Sequence, residues 1–122
     1  MGVVSSQAPA YARSIESGTL QSAPVTTVLA DGMACRTPVA DALAAMRGKL
    51  ARVIEVSDAQ VADAMRALFS DTHNVAEGAG AAPLAALLAE APAMRGKRVG
   101  IVISGGNVDR DLFARVLEGA NL

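Results

Sequence analysis

Apolar and polar positions change their period several times along the chain, and each change marks an element. GVVSS at residues 2–6 is an apolar, β-branched run that reads as a short strand. PAYARSIES at 9–17 follows as a helix, with Pro9 tolerated at a first helical position and Gly18 as its stop. Residues 19–30 show no clear helical period. VTTVLADG at 25–32 reads as an extended segment entering a loop at Asp31-Gly32. After Pro38, ADALAAMRG at 40–48 is a helix closed by Gly48, and ARVIEV at 51–56 is the second strand.

The best-defined helix begins at Ser57-Asp58. Ser57 is an N-cap, and Asp58 places a negative charge in the first turn, where it complements the helix dipole. Val61, Ala64, Met65, Leu68 and Phe69 then repeat at helical spacing on one face. His73-Asn74 interrupts the pattern, and VAEGAGAAPLAALLAEA at 75–91 is a second apolar helix. Its start is ambiguous, because Gly78 and Gly80 disfavour a helix interior while Pro83 suits a first turn. Residues 94–97 are a polar connector, 98–103 a third strand and 109–117 the last helix. Strand–helix alternation with nearly continuous apolar strands predicts an α/β fold: three layers built on a small, mostly parallel sheet of three strands. With no internal repeat and no low-complexity linker, residues 1–122 read as a single domain.

Composition narrows the picture. Of the 122 residues, 52% are apolar but only 2% aromatic, so the core must be Ala, Val, Leu, Ile and Met. Eleven basic against twelve acidic residues leave a net charge of −1, which supplies no field for nucleic acid. The single cysteine, Cys35, excludes an internal disulfide and points to a reducing, cytoplasmic setting. No apolar run reaches bilayer-spanning length, so no membrane partner is expected. High apolar content with so little net charge favours a self- or partner-binding surface.

Candidate chemistry gathers at glycine-rich turns. Ser104-Gly105-Gly106-Asn107 joins the third strand to the last helix. It reads locally as a turn in which glycine takes an unusual φ and Asn107 or Asp109 caps the helix. It also fits the rule that ligands sit beyond the carboxyl ends of parallel strands. There, residues without side chains let a flat or phosphorylated ligand approach, and the Ser104 hydroxyl can make a hydrogen bond. The turn matches neither G-x-G-x-x-G nor a P-loop. Glu77-Gly78-Ala79-Gly80-Ala81 is a second such turn, with Glu77 either a plain N-terminal acid or a group reaching a cleft shared with Ser104. The loop Ala30-Asp31-Gly32 has the same status. His73 reads as a solvated loop histidine, and no second ligand stands at metal-binding spacing. Cys35, beside Arg36 but without a triad partner, reads as an incidental thiol, and Met46, Met65 and Met94 as core.

In order, the chain carries V-x-S-x-x-A-x-A-Y-A-x-S from Val4, LADG at 29–32, VIEVSD at 53–58, EGAGA at 77–81 and SGGN at 104–107. That series resembles the C-terminal part of the serine/threonine dehydratases and serine racemases, which are fold-type II, tryptophan-synthase-β-like pyridoxal-phosphate enzymes. The resemblance spans almost the whole chain and implies part of the larger, cofactor-carrying domain of that fold. It maps the serine that hydrogen-bonds the cofactor's pyridine nitrogen onto Ser104. It also implicates Gly105, Gly106, Asn107, Glu77, Gly78 and Gly32 in lining the same cleft. The family's Schiff-base lysine lies in a serine-x-lysine motif, and its phosphate cup is a run of glycines; neither occurs here. Lys49 and Lys97 both stand in polar connectors. The acids that bind a divalent ion in some racemases correspond to Val4 and Ala10, so no metal site is implied. The resemblance therefore implies pyridoxal 5′-phosphate as the family's cofactor, yet predicts that this chain by itself neither binds it nor acts as a lyase. The expected role is a truncated or split C-terminal portion of a dehydratase acting on a small amino acid, partnered by a separate N-terminal half or in a homo-oligomer. A self-associating, non-catalytic module with a remnant of the fold is the alternative.

Overall fold

The computed structural model describes residues 1–120. Two strands, β1 (Gly2–Ser5) and β2 (Val53–Val56), pair in parallel with Gly2 opposite Val53 and Ser5 opposite Val56. Between them lie α1 (Ala10–Ser17), a 3-10 turn at Asp31–Met33 and α2 (Ala40–Met46). After β2 come α3 (Asp58–Thr72), α4 (Gly78–Ala89), the short α5 (Ala91–Met94) and α6 (Arg110–Leu117). The pleat sorts the layers. Val3, Ile54 and Val56 belong to the core with α3 and α4, whereas Val4 and Val53 line a cavity with Tyr11, Ile15, Met46 and Leu50. Helices thus flank both faces of a parallel sheet, as an α/β fold requires.

One expected element is not formed. Residues 98–103 carry strand-like side chains but no strand, and among the described residues no backbone–backbone hydrogen bond involves positions 98–104. A β-branched run has strand propensity; a strand also needs a neighbour to pair with. The sheet therefore has two strands where three are expected.

The core is made of small aliphatics. Val61, Ala64, Met65 and Leu68 of α3 meet Ala81, Ala82, Ala85 and Ala86 of α4, with Val56 and Val116 completing the cluster. Alanines at the contact let the two helix axes approach closely, and together these two elements supply half of the buried hydrophobic residues. Phe69 sits at the margin of this face rather than inside it, 39% exposed, with its ring edge-on to Phe113 at 5.6 Å. α3 starts with a full capping box: Gln60 N donates to Ser57 Oγ, and Ser57 N donates to Gln60 Oε1. It ends at His73, which adopts the left-handed conformation with φ 57° and caps the helix; the exposed ring takes no part in the site. α4 begins at Gly78, so Pro83 lies inside the helix rather than in its first turn. The lost hydrogen bond at Pro83 is outweighed by burial on the face formed by Ala81, Ala82, Ala85 and Ala86.

Candidate functional site

Three segments converge: residues 27–33, residues 75–81 at the start of α4, and residues 104–108. The first is anchored by a carboxylate. Asp58, only 4% exposed, accepts hydrogen bonds from Thr27 Oγ1 at 2.6 Å and Val28 N at 2.8 Å. Thr27 Oγ1 in turn accepts from Ala30 N at 3.0 Å. On the sequence, Asp58 reads as a first-turn acid serving the helix dipole. In the fold it is a buried clamp joining the start of α3 to the Leu29–Gly32 loop. No local pattern signals this, because its partners lie thirty residues upstream.

The glycines fit the loops to one another. A Cβ on Gly78 would run into the Leu29 carbonyl, and one on Gly80 would stand 2.6 Å from the Gly105 carbonyl oxygen. A Cβ on Gly106 would stand 2.6 Å from Val75 O, one on Gly32 2.9 Å from Ala79 Cβ, and one on Gly105 would strike the Glu77 carboxylate. A backbone hydrogen bond, Glu77 N to Gly105 O at 3.0 Å, fastens the second loop to the third. The space these glycines leave is filled by the chain's own backbone and by the side chains of Glu77 and Ala79. Sequence reading leaves two uses open for these glycines, an ordinary turn or room for an approaching ligand.

The candidate residues line two cavities that share Gly32. One, of about 490 Å³, has Ser104 at its rim, with Gly32, Val3 and Ile54, the α4 residues Ala79 and Ala86, and Val99 to Val102 around it. The other, of about 380 Å³, is lined by Gly32, Glu77, Gly78 and Asn107 together with Asp31 and Asp109. Gly105 and Gly106 line neither. Ser104 is exposed, and among the described residues its hydroxyl makes no hydrogen bond. Lys49 and Lys97 are exposed and line neither cavity. Cys35 donates from Sγ to Thr37 O at 3.3 Å and lies at the cavity on the opposite face of the sheet. Of the methionines, Met65 is buried, while Met46 and Met94 are partly exposed cavity walls. Among the described residues no three His, Cys, Asp or Glu side chains cluster to hold a metal ion, and no helix is long and apolar enough to cross a membrane.

A parallel α/β layer with glycine-packed loops at its strand ends defines a class of ligand-binding domain. The comparisons specify it: residues 1–105 match the family of pyridoxal-phosphate dependent enzymes, and the chain belongs to that family. Among the relatives, it is 38% identical over 119 residues to the L-threonine ammonia-lyase of Geobacter sulfurreducens, which covers 97% of this chain and 29% of that enzyme. The crystal structure of a T.th. threonine deaminase superposes with a TM-score of 0.80 at 34% identity, covering 88% of this chain and 39% of the deaminase. Maize serine racemase superposes with a TM-score of 0.80 at 26% identity, over 95% of this chain and 38% of the racemase. The chain thus spans about a third of the length of the proteins it matches.

The donor set fits one end of the family's cofactor. Ser104 offers a neutral hydroxyl at the mouth of an apolar cavity, which suits a pyridine nitrogen. Neither cavity carries a lysine or arginine among its lining residues, so the described residues offer no cation for the phosphate and no amine for the aldehyde.

Proposed function

We propose that this chain forms the ring-nitrogen side of the pyridoxal-phosphate site of a threonine/serine dehydratase-type enzyme, with Ser104 as the group that meets the pyridine nitrogen. In this reading the lysine and the phosphate loop come from polypeptide outside these 122 residues. The observation that carries it is the position of Ser104, whose hydroxyl has no hydrogen-bond partner among the described residues, one residue before the point where Gly105 O accepts from Glu77 N. The names of the relatives, threonine ammonia-lyase and serine racemase, support a small hydroxy amino acid as substrate.

When bound, pyridoxal phosphate supplies the electron sink for removing the α-proton and β-hydroxyl of a hydroxy amino acid. Ser104 holds the ring nitrogen through an uncharged hydrogen bond. A hydroxyl cannot stabilise a protonated nitrogen as a carboxylate does, so it keeps that sink weak, which suits elimination and limited racemisation. Gly105, Gly106 and Asn107 fix the turn that carries Ser104. Gly32, Glu77 and Gly78 set the opposite wall, with the Glu77 carboxylate lying over Gly105.

The test is reconstitution. The chain is co-expressed with the portion of the Geobacter relative that lies outside its matched segment, and ammonia release from threonine and serine is measured with added cofactor. The expected result is activity in the complex, none in the isolated chain, and loss of at least about 100-fold in kcat for Ser104→Ala, consistent with removal of one preorganised donor. Full activity of the Ser104→Ala complex would refute the assignment. A complex that assembles without activity would favour the non-catalytic module.

A further inference from the structure

The same five residues, Ala-Met-Arg-Gly-Lys, stand at 45–49 and again at 93–97, and both copies fold alike. Arg47 and Arg95 each adopt φ −55° and ψ 132°, followed by Gly48 at φ 71° and Gly96 at φ 74°. Lys49 N donates to Met46 O at 3.1 Å and Lys97 N to Met94 O at 3.0 Å, so each copy closes a type II turn whose third position favours glycine. Both turns lie at one end of the molecule. Gly2 N donates to Arg52 O at 2.9 Å, which sets Arg52 at the amino end of the β1–β2 pair, and Leu50, just past the first turn, lies against Gly2. The Arg52 guanidinium pairs with Glu90, which immediately precedes α5 and the second turn. Arg47, Lys49, Arg52, Arg95, Lys97 and Arg98 therefore gather there, six of the chain's eleven basic residues, and all six are exposed. The stretches 42–54 and 91–108 contain no acidic residue. Arg52 is held by Glu90, and Arg47 donates to the Gly18 carbonyl. Among the described residues, Lys49, Arg95, Lys97 and Arg98 have no ion pair and no side-chain hydrogen bond. Cations after a helix complement its dipole, but α5 is four residues long and has almost no dipole to complement.

We propose that this end of the chain is a docking surface for an acidic protein segment, a run of aspartate and glutamate side chains received by the two Arg-Gly-Lys turns. None of the six cations lines either cavity of the candidate site, so the surface stands apart from the cofactor site and does not depend on the function proposed for it. Four of the six are arginines, whose planar forks take carboxylates through paired hydrogen bonds. Two turns of one geometry present the same Arg and Lys twice, which suits a repeated acidic side chain better than a single anion. Neither turn holds an aromatic residue on which a base could stack, and a net charge of −1 gives the whole chain no pull on a polyanion such as RNA. The exposed residues beside the cations are mostly alanines, Ala44, Ala45, Ala51, Ala91 and Ala93, which offer little to insert into a bilayer.

Fluorescence anisotropy of a fluorescein-labelled oligoglutamate peptide, mixed with the chain at about 50 mM salt, tests the surface. The peptide should bind, a glutamine peptide of the same length should not, and raising the salt to about 300 mM should weaken binding about 5-fold or more. An exposed ion pair contributes a factor of about 1.5–5, so Lys49→Gln/Arg95→Gln/Lys97→Gln/Arg98→Gln should bind at least about 5-fold more weakly. The charge-matched control Arg13→Gln/Arg36→Gln/Arg110→Gln/Arg115→Gln should bind within about 2-fold of the parent. All eight positions are exposed, so the circular dichroism and urea midpoint of both variants should stay unchanged. Lys49→Glu/Lys97→Glu, which alters only the last residue of each turn, should also weaken binding and repeats the test without touching an arginine. Absence of binding at about 50 mM salt, or equal weakening in the patch variant and its control, would overturn the proposal. Tighter binding to an RNA oligonucleotide or to phosphatidylserine vesicles than to the peptide, lost in the patch variant, would also overturn it by placing a different partner on the same cations.

Discussion

Replacing Asp58 with alanine tests the clamp on which the site loops depend. The carboxylate is 4% exposed and accepts from Thr27 Oγ1 at 2.6 Å and from Val28 N at 2.8 Å. Hydrogen bonds to a charged group contribute about 1.5–3 kcal/mol each, so losing both removes about 3–6 kcal/mol. Against a typical domain stability of about 5–15 kcal/mol, that is a large share. The capping box of Ser57 and Gln60 survives, so the loss reports on the loop rather than on the start of α3. Thr27→Val removes a hydroxyl that donates to Asp58 and accepts from Ala30 N, and costs about 1–3 kcal/mol. The informative measurement is a double-mutant cycle by urea unfolding followed by far-UV circular dichroism. If the residues act as one unit, the double variant falls short of additivity by about 1–2 kcal/mol. With a slope of about 1–3 kcal/mol per molar urea, Asp58→Ala lowers the midpoint by about 1–6 M. A loss below about 0.5 kcal/mol, the range of an ordinary surface substitution, or strict additivity with Thr27→Val, would refute the clamp.

Gly78→Ala reverses the usual sign of a helix substitution. Alanine in place of glycine normally gains about 1 kcal/mol, but here its Cβ would strike the Leu29 backbone carbonyl, and a net loss of about 1–3 kcal/mol is expected in the same urea assay. A stabilised variant would show that the two loops do not touch. His73→Gly relieves a left-handed residue at the end of α3 and should raise stability by about 0.5–1 kcal/mol, read as a higher thermal midpoint. A lower midpoint would assign the His73 ring a role that its exposed position does not suggest.

What is legible in the sequence is local, and what is hidden depends on pairs. The starts and stops of α1 and α3 are written in neighbouring residues, so Gly18, Ser57 and the Val61–Leu68 stripe can be read directly. Residues 98–103 cannot, since their side chains specify an extended run while the hydrogen bonds that define a strand belong to a neighbour. Asp58 resembles one more helix-starting acid because its partners carry no periodic signal. The glycine turns are recognisable as places of close approach, but a sequence cannot say whether the visitor is a ligand or another loop. Here the loops meet each other: Gly78 against Leu29, Gly80 against Gly105, Gly106 against Val75. This has a physical consequence for Ser104. Its turn is held from the carboxyl side by the Glu77–Gly105 hydrogen bond, while among the described residues the segment preceding it forms no ladder. Catalytic groups lose much of their effect when misplaced by about 1 Å, so a hydroxyl anchored on one side only is not yet in a fixed position.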